Sequence, residues 1–295
     1  MLNLDEKKIR KGKPIGLPYQ GSKKKISKKI VEIIKQNFGT DKPIYDVFGG
    51  GGAITAECIL NGLEVHYNDL DKNIINAFEQ VVSQKREWLK TLIISRDDFY
   101  KIKAKENKTT DDFLKLLVNS FGNNKKVYLY SKETSYLKYN IAKEIIKNND
   151  IFSGYNKTDT YKKVICDIKK ENNKAFNRIE QLERLQQLER LQQIKKVKAT
   201  NKSYHEFSEV SGAILYLDPP YENTDQGSYI NSFNSKEFYD WAFEMSKNNI
   251  VIISSFYVSD ERFEVVYSFD KAQSNFRGIA DSKEKNEKLF MVKSS

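Results

Sequence analysis

The chain has 295 residues, a length that predicts two domains or one domain carrying a large insertion. Hydrophobic residues at 39% and aromatics at 12% are too many for a disordered chain. No apolar run reaches the length of a membrane span, and the opening MLNLDEKKIRKGK lacks the apolar core of a secretory signal; a soluble cytoplasmic protein is expected. Cys58, Cys166, His66 and His205 match neither a zinc spacing nor a disulfide framework, so no metal site is expected. Fifty Lys+Arg against 40 Asp+Glu leave a net charge of +10. That excess favours a polyanionic partner, because neutralising phosphates releases condensed counterions. A solvated lysine-rich surface is the plainer reading of the same number.

In chain order, Ile44 to Phe48 reads as a short buried strand running into four consecutive glycines, Gly49 to Gly52, and then into a helix over Ala53–Leu60. Glu64 to Tyr67 reads as a second strand ending at Asn68-Asp69, followed by a helix from about Asp71 to Ile94. Between Leu63 and Ser211 there is no proline and the only glycines are Gly122 and Gly154, so the middle is predicted mostly helical. Within it, Leu182 to Gln187 repeats unchanged as Leu188 to Gln193. Leucines three apart drift around a helix and form no coiled-coil seam, so a packed or partly exposed helix is expected. Arg184 and Arg190 are weak candidates for DNA contact. Ala213–Leu217, Ile250–Ile253, Phe263–Phe269 and Leu289–Val292 read as later strands. Strands alternating with helices at both ends predict one doubly wound α/β sheet with a helical insertion.

Three polar signals fall at strand ends, where open α/β sheets bind ligands. The glycine loop permits close backbone approach, although it lacks the G-x-G-x-x-G spacing of a dinucleotide fingerprint. Asp69 lies 17 residues beyond Gly52, a position suited to ribose hydroxyls or, more plainly, to a helix N-cap. Asp218-Pro219-Pro220-Tyr221 is the most specific signal. Its prolines rigidify the turn after a buried strand. A carboxylate, a fixed carbonyl and an aromatic face together suit a planar base bearing an amino group.

Tyr19-Gln20-Gly21-Ser22-Lys23, Asp46-Val47-Phe48-Gly49-Gly50-Gly51, Asn68-Asp69 and Asp218-Pro219-Pro220-Tyr221 stand in the order of the Dam-type DNA adenine methyltransferases of the alpha group. The chain resembles that family from about Gly16 to Val292, with Tyr19 where many members carry tryptophan and Ser22 where they carry glycine. The resemblance implies a Rossmann-like methyltransferase sheet and S-adenosylmethionine as methyl donor. Tyr19 and Lys23 match N-terminal cofactor contacts, Phe48 with Gly49, Gly50 and Gly51 the methionine part, and Asp69 the ribose. Asp218 matches a residue close to both cofactor and target amino group, and Asp218 to Tyr221 are the implied catalytic residues. The rest of the run Lys23-Lys24-Lys25 and Lys28-Lys29 reads as a solvated helix face.

The implied reaction is methylation of the exocyclic amino nitrogen of adenine, flipped out of double-stranded DNA at a short specific site. Residues 14–95 and 206–295 form the expected catalytic domain, and 96–205 a target-recognition insertion. Within the insertion, Asn119 to Lys126 followed by Tyr128 and Tyr130 mixes amides, cations and aromatics suited to base edges or a wedge. A surface turn leading into core is an equal reading of that stretch. A cognate restriction endonuclease is among the implied partners, and a monomer or weak dimer is expected. Methylation of RNA, or a non-catalytic nucleic-acid-binding protein on the same sheet, are the alternatives.

Overall fold

The structure, a computed structural model, describes residues 1–19, 21–149, 154–170, 178–194, 197–222, 233–269 and 286–293. Gln20 of the first motif lies outside the described residues. In chain order the elements are α1 (Ser27–Phe38), β1 (Ile44–Asp46), α2 (Ala53–Leu60), β2 (Val65–Asn68), α3 (Lys72–Ser83), α4 (Arg86–Leu89), α5 (Arg96–Ala104) and α6 (Thr110–Asn119). They continue with α7 (Lys132–Asn149), α8 (Asp159–Lys170), α9 (Glu180–Leu191), β3 (Lys198–Thr200), β4 (Ile214–Leu217), α10 (Ser235–Met245), β5 (Ile250–Ser255), β6 (Phe263–Ser268) and β7 (Lys288–Val292). No described helix is long and apolar enough to cross a membrane.

The chain divides into two compact units, with the division inside α3 after Ile75. The first comprises Met1–Pro14, Lys23–Ile75 and Val197–Ser295. It holds a seven-stranded sheet in the order β3-β2-β1-β4-β5-β7-β6. All pairs from β3 to β5 are parallel, whereas β7 runs antiparallel to both β5 and β6. The sheet is therefore doubly wound as expected, and its strand order reverses between β1 and β4.

Alternation along the strands sorts side chains to two cores. Ile214 and Tyr216 of β4, Ile252 of β5 and Leu289 of β7 join α1 and α2 on one face. Leu215, Leu217, Val251, Ile253 and Phe290 join α10 on the other. The register pairs Asp46 with Tyr67 and Tyr216, and Leu217 with Ile253, so the carboxyl ends of β1, β2, β4 and β5 line up on one edge. Because β7 is antiparallel and pairs Ser255 with Lys288, its amino end reaches that same edge. Before α1, Arg10 holds the buried Glu57 of α2 through two hydrogen bonds of 2.7 and 2.8 Å.

β3 and α10 were not anticipated. β3 offers only Lys198-Ala199-Thr200 on the sheet edge, half-buried at most, so no apolar pattern marks it. The single helix expected from Asp71 to Ile94 stops at Ser83, because Lys85 is extended and opens the short α4.

The second unit, Ile15–Ser22 with Asn76–Lys196, is helical in its long segment. Leu182, Leu185, Leu188 and Leu191 are all fully buried, so the repeated hexapeptide builds a packed helix. Arg184 on the same helix is half-buried. Its Nη1 donates to the carbonyls of Val118 and Ser120 at 2.7 Å each and of Leu117 at 3.3 Å, capping the carboxyl end of α6. Burial lowers its pKa to about 10. Arg184 is thus taken up within the fold and is withdrawn as a DNA contact. Arg184→Ala removes the donor that these three carbonyls share, and urea denaturation is expected to show a loss of about 1–3 kcal/mol; an unchanged midpoint would contradict the cap.

Candidate active site

The glycine loop owes its shape to the end of β2. Gly50 and Gly52 adopt left-handed φ values of 48° and 70°, and Gly52 forms the N-cap of α2. Gly49 sits against the Tyr67 ring so closely that a Cβ there would lie 2.5 Å from two ring carbons. Tyr67 Oη donates to the Gly50 carbonyl at 2.7 Å, and Gly50 N donates to Asp69 Oδ2 at 2.8 Å. Asp69 Oδ1 accepts from Asp71 N at 2.8 Å, and it is Asp71 whose side chain caps the start of α3, accepting from Asn73 N at 2.9 Å. The plainer reading of Asp69 as the helix cap therefore belongs to its neighbour. Burial, partly offset by the two amide bonds, raises the Asp69 carboxyl to about 6.

Beneath the loop, Asp46 is buried and accepts from Thr55 N at 3.1 Å and Thr55 Oγ1 at 2.7 Å, tying β1 to α2. Burial raises it to about 7 against those bonds, and the charges of Asp218 and Asp69 add to the rise. Asn68 joins three strand ends, donating to Val47 O and Lys202 O at 2.9 Å each and accepting from Thr200 Oγ1 at 2.8 Å. The half-buried Phe48 ring belongs to an aromatic cluster with Tyr204, Phe233 and Phe238, at centroid distances of 5.7–6.2 Å.

The tetrapeptide leaves β4, all four of whose residues are buried. Asp218 projects at the edge where the strand order reverses, and Lys23 reaches it from the short 3-10 turn Lys23–Lys25 that precedes α1. The Lys23 ammonium, only 8% exposed, donates to Asp218 Oδ1 at 2.6 Å and to the Tyr221 hydroxyl at 2.5 Å. Burial opposes its charge, but attraction to Asp218 and Glu287 outweighs burial and holds the pKa above the ordinary lysine range. Burial raises Asp218 to about 6, Lys23 pulling it down and Glu287 pushing it up, so it is ionised at neutral pH. Pro219 is buried and Pro220 half-buried, as a rigid turn requires. The Tyr221 ring lies 4.6 Å from Phe256 at an interplanar angle of 52°.

The first unit therefore brings together Lys23, Gly49 to Gly51, Asp69 and Asp218 to Tyr221 along one sheet edge. Tyr19 falls in the second unit, where its carbonyl accepts from Ser22 N at 3.3 Å. Sequence reasoning missed Ser254, Phe256 and Glu287. Two serines directly after Ile250–Ile253 were a legible signal of a strand end facing the crevice. Glu287 gave none, since only the antiparallel pairing of β7 carries it there. Glu222 was missed too: it accepts from the Tyr239 hydroxyl and from Ser259 N and Oγ at 3.2 Å each, fastening the exit of the tetrapeptide.

In the second unit the loop after α6 contains residues of both kinds. Tyr128 and Tyr130 are buried, and Asn119 donates to Leu92 O and Lys115 O at 2.7 Å each, so these three are core. Phe121 is 64% exposed on a turn in which Gly122, Asn123 and Lys125 all have positive φ, and Lys126 and Val127 beside it are exposed. Gly49→Ala is expected to displace the Tyr67 ring and to lower stability by about 1–3 kcal/mol in thermal unfolding. Wild-type stability would contradict that contact.

A family model described as D12 class N6 adenine-specific DNA methyltransferase matches residues 19–289, a span containing the glycine loop, Asp69, the tetrapeptide and Glu287. A search among curated proteins finds no match. The seven-stranded α/β sheet is consistent with a Rossmann-like methyltransferase fold. Motif order, the sheet with its crevice and the match over most of the chain agree, and the chain belongs to the D12 class of N6 adenine-specific DNA methyltransferases.

Proposed function

We propose that this enzyme transfers the methyl group of S-adenosylmethionine to the exocyclic amino nitrogen of an adenine flipped out of double-stranded DNA. The observation that carries the proposal is the cluster of Lys23, Asp218 and Tyr221 at the strand-order reversal, beside the glycine loop. The chemistry of the crevice fits a cationic cofactor. Burial raises the pKa of Asp46, Asp69 and Asp218; the charges of Asp218 and Asp69 add to the rise at Asp46, those of Glu287 and Asp69 add to it at Asp218, and Lys23 faces Asp218 and Glu287. Opposite charge nearby relieves such repulsion. Lys23, the Gly49 to Gly51 backbone, Phe48 and Asp69 are the residues proposed to hold the cofactor. When bound, S-adenosylmethionine supplies an electrophilic methyl group on a sulfonium.

The chain's own residues have three tasks in this reading. The Asp218 carboxylate and the Pro219 carbonyl accept the two amino hydrogens of adenine, which favours a geometry that localises the nitrogen lone pair. They also face the positive charge that develops on that nitrogen, a preorganised contribution of several kcal/mol in comparable sites. Tyr221 stacks on the base, worth roughly 1–3 kcal/mol. Target recognition is assigned to residues 96–205, and Phe121 with Lys126 at the exposed turn is the part proposed to meet DNA. The net charge of +10 supports a duplex partner.

Purified protein with labelled S-adenosylmethionine is expected to label adenine in duplex DNA and not in RNA. Asp218→Ala is expected to abolish transfer in a protein that still folds, with stability lowered by the loss of the Lys23 ion pair; normal turnover would contradict the role of Asp218. Because Asp218 must be ionised to accept the amino hydrogens and titrates at about 6, kcat/KM should be level above that pH. Below it, kcat/KM should fall roughly tenfold per pH unit. A profile level through about pH 5 would contradict the assignment.

A further inference from the structure

Glu287 stands directly before β7 with its side chain turned into the crevice. Its backbone carbonyl accepts from Phe269 N at 2.9 Å, which fixes the residue from behind. Oε1 accepts from the buried Ser254 hydroxyl at 2.7 Å, and Oε2 lies 3.0 Å from the Tyr221 hydroxyl. Lys23 Nζ is 3.4 Å from Oε1. The side chain is largely enclosed, yet neither the glycine loop nor the tetrapeptide motif includes it.

Counting donors fixes the direction of these bonds. A lysine ammonium donates only, an ionised carboxylate accepts only, and a phenol does one of each. Lys23 therefore donates to the Tyr221 oxygen, and the Tyr221 proton points to Glu287. The phenol oxygen is bonded on both sides while Phe256 packs against the ring, so the ring plane is held. Lys23 is shared between Tyr221 and Asp218, so the same network sets the ring relative to the carboxylate.

We propose that Glu287 is a positioning residue for methyl transfer: it orients the Tyr221 ring through the hydroxyl and, with Ser254, keeps that ring in register with Asp218. The proposal rests on the reading of Tyr221 as the surface that stacks on the target base. Removing the carboxylate takes away the acceptor of the Tyr221 proton and loosens the ring, while the Lys23 bond to Asp218 Oδ1 remains. The loss then falls chiefly on alignment of the flipped base and hence on kcat.

The test compares wild type, Glu287→Gln, Glu287→Ala and Tyr221→Phe, and combines each Glu287 substitution with Tyr221→Phe. Steady-state and single-turnover rates are measured on a duplex carrying the target adenine, and 2-aminopurine at that position reports stacking of the flipped base. Glu287→Ala is expected to lower kcat about 10- to 100-fold, the scale of losing a hydrogen bond to a charged group. KM for S-adenosylmethionine should change by a smaller factor than kcat, and Glu287→Gln, which keeps an acceptor oxygen, should recover part of the loss in kcat. In the Tyr221→Phe background, where no hydroxyl remains to orient, either Glu287 substitution should change kcat by less than about threefold. 2-Aminopurine should stay brighter in Glu287→Ala than in wild type, the signature of a flipped base that is poorly stacked. If Glu287→Ala does not fold, the isosteric Glu287→Gln decides through the same comparison with Tyr221→Phe. An equal loss in both backgrounds, or full activity of Glu287→Gln and Glu287→Ala, overturns the positioning role while the proposed function stands. A folded wild type that modifies no adenine in duplex DNA overturns the reading on which the role rests.

Discussion

A buried ammonium holds the site together. Lys23 brings one positive charge to a sheet edge populated by Asp46, Asp69, Asp218 and Glu287, and burial would make either sign costly alone. Removing one partner of such a cluster leaves an uncompensated charge, so the lysine and its carboxylates are mutually required. Lys23 also connects segments far apart in the chain, being 195 residues from Asp218 and 198 from Tyr221. A segment near the start of the chain is thereby committed to the end of β4. The remaining imbalance toward negative charge makes the crevice a suitable place for a cationic methyl donor and for an amino group that donates hydrogens.

The sheet makes that arrangement possible. Parallel pairing aligns the carboxyl ends of β1, β2, β4 and β5, so the glycine loop, Asp69, Asp218 and Ser254 emerge on one edge. The antiparallel β7 delivers the amino end of its strand to that edge and adds Glu287. Around this frame the backbone is fastened by side chains. Tyr67 and Asp69 grip Gly50 from either side, Asn68 joins β1 to β3, and Glu222 anchors the segment after Tyr221. Such fastening is the structural form of preorganisation: polar groups are aimed before any ligand arrives.

Much of this was legible in the sequence. The buried runs Ala213–Leu217 and Ile250–Ile253, the four glycines and Asp218 to Tyr221 located the sheet and its crevice, because apolar runs and turn residues report local physics. Other features depend on tertiary pairing and leave little local trace. β3 is a three-residue edge strand with a lysine and a threonine, stabilised by its neighbour β2 rather than by apolar content. Arg184 looked like a surface cation on a Gln- and Glu-rich helix, and only the nearby carbonyls at the end of α6 explain its burial. Tyr128 and Tyr130 stand in a polar stretch but pack with Phe99 and Ile94, whereas Phe121, seven residues before Tyr128, is the exposed ring. Composition identifies such a loop without saying which of its aromatics faces solvent. Glu287 is the clearest instance at the site, since its place there follows wholly from strand order.

The most direct measurement is long-read sequencing of DNA from a methylation-free bacterial host expressing the chain. The account predicts methylated adenine confined to one short recurring motif, and unmodified DNA when the expressed chain carries Asp218→Ala. Unmodified adenine throughout, with folded wild-type protein abundant in the cells and methylated adenine found in their RNA instead, would contradict it.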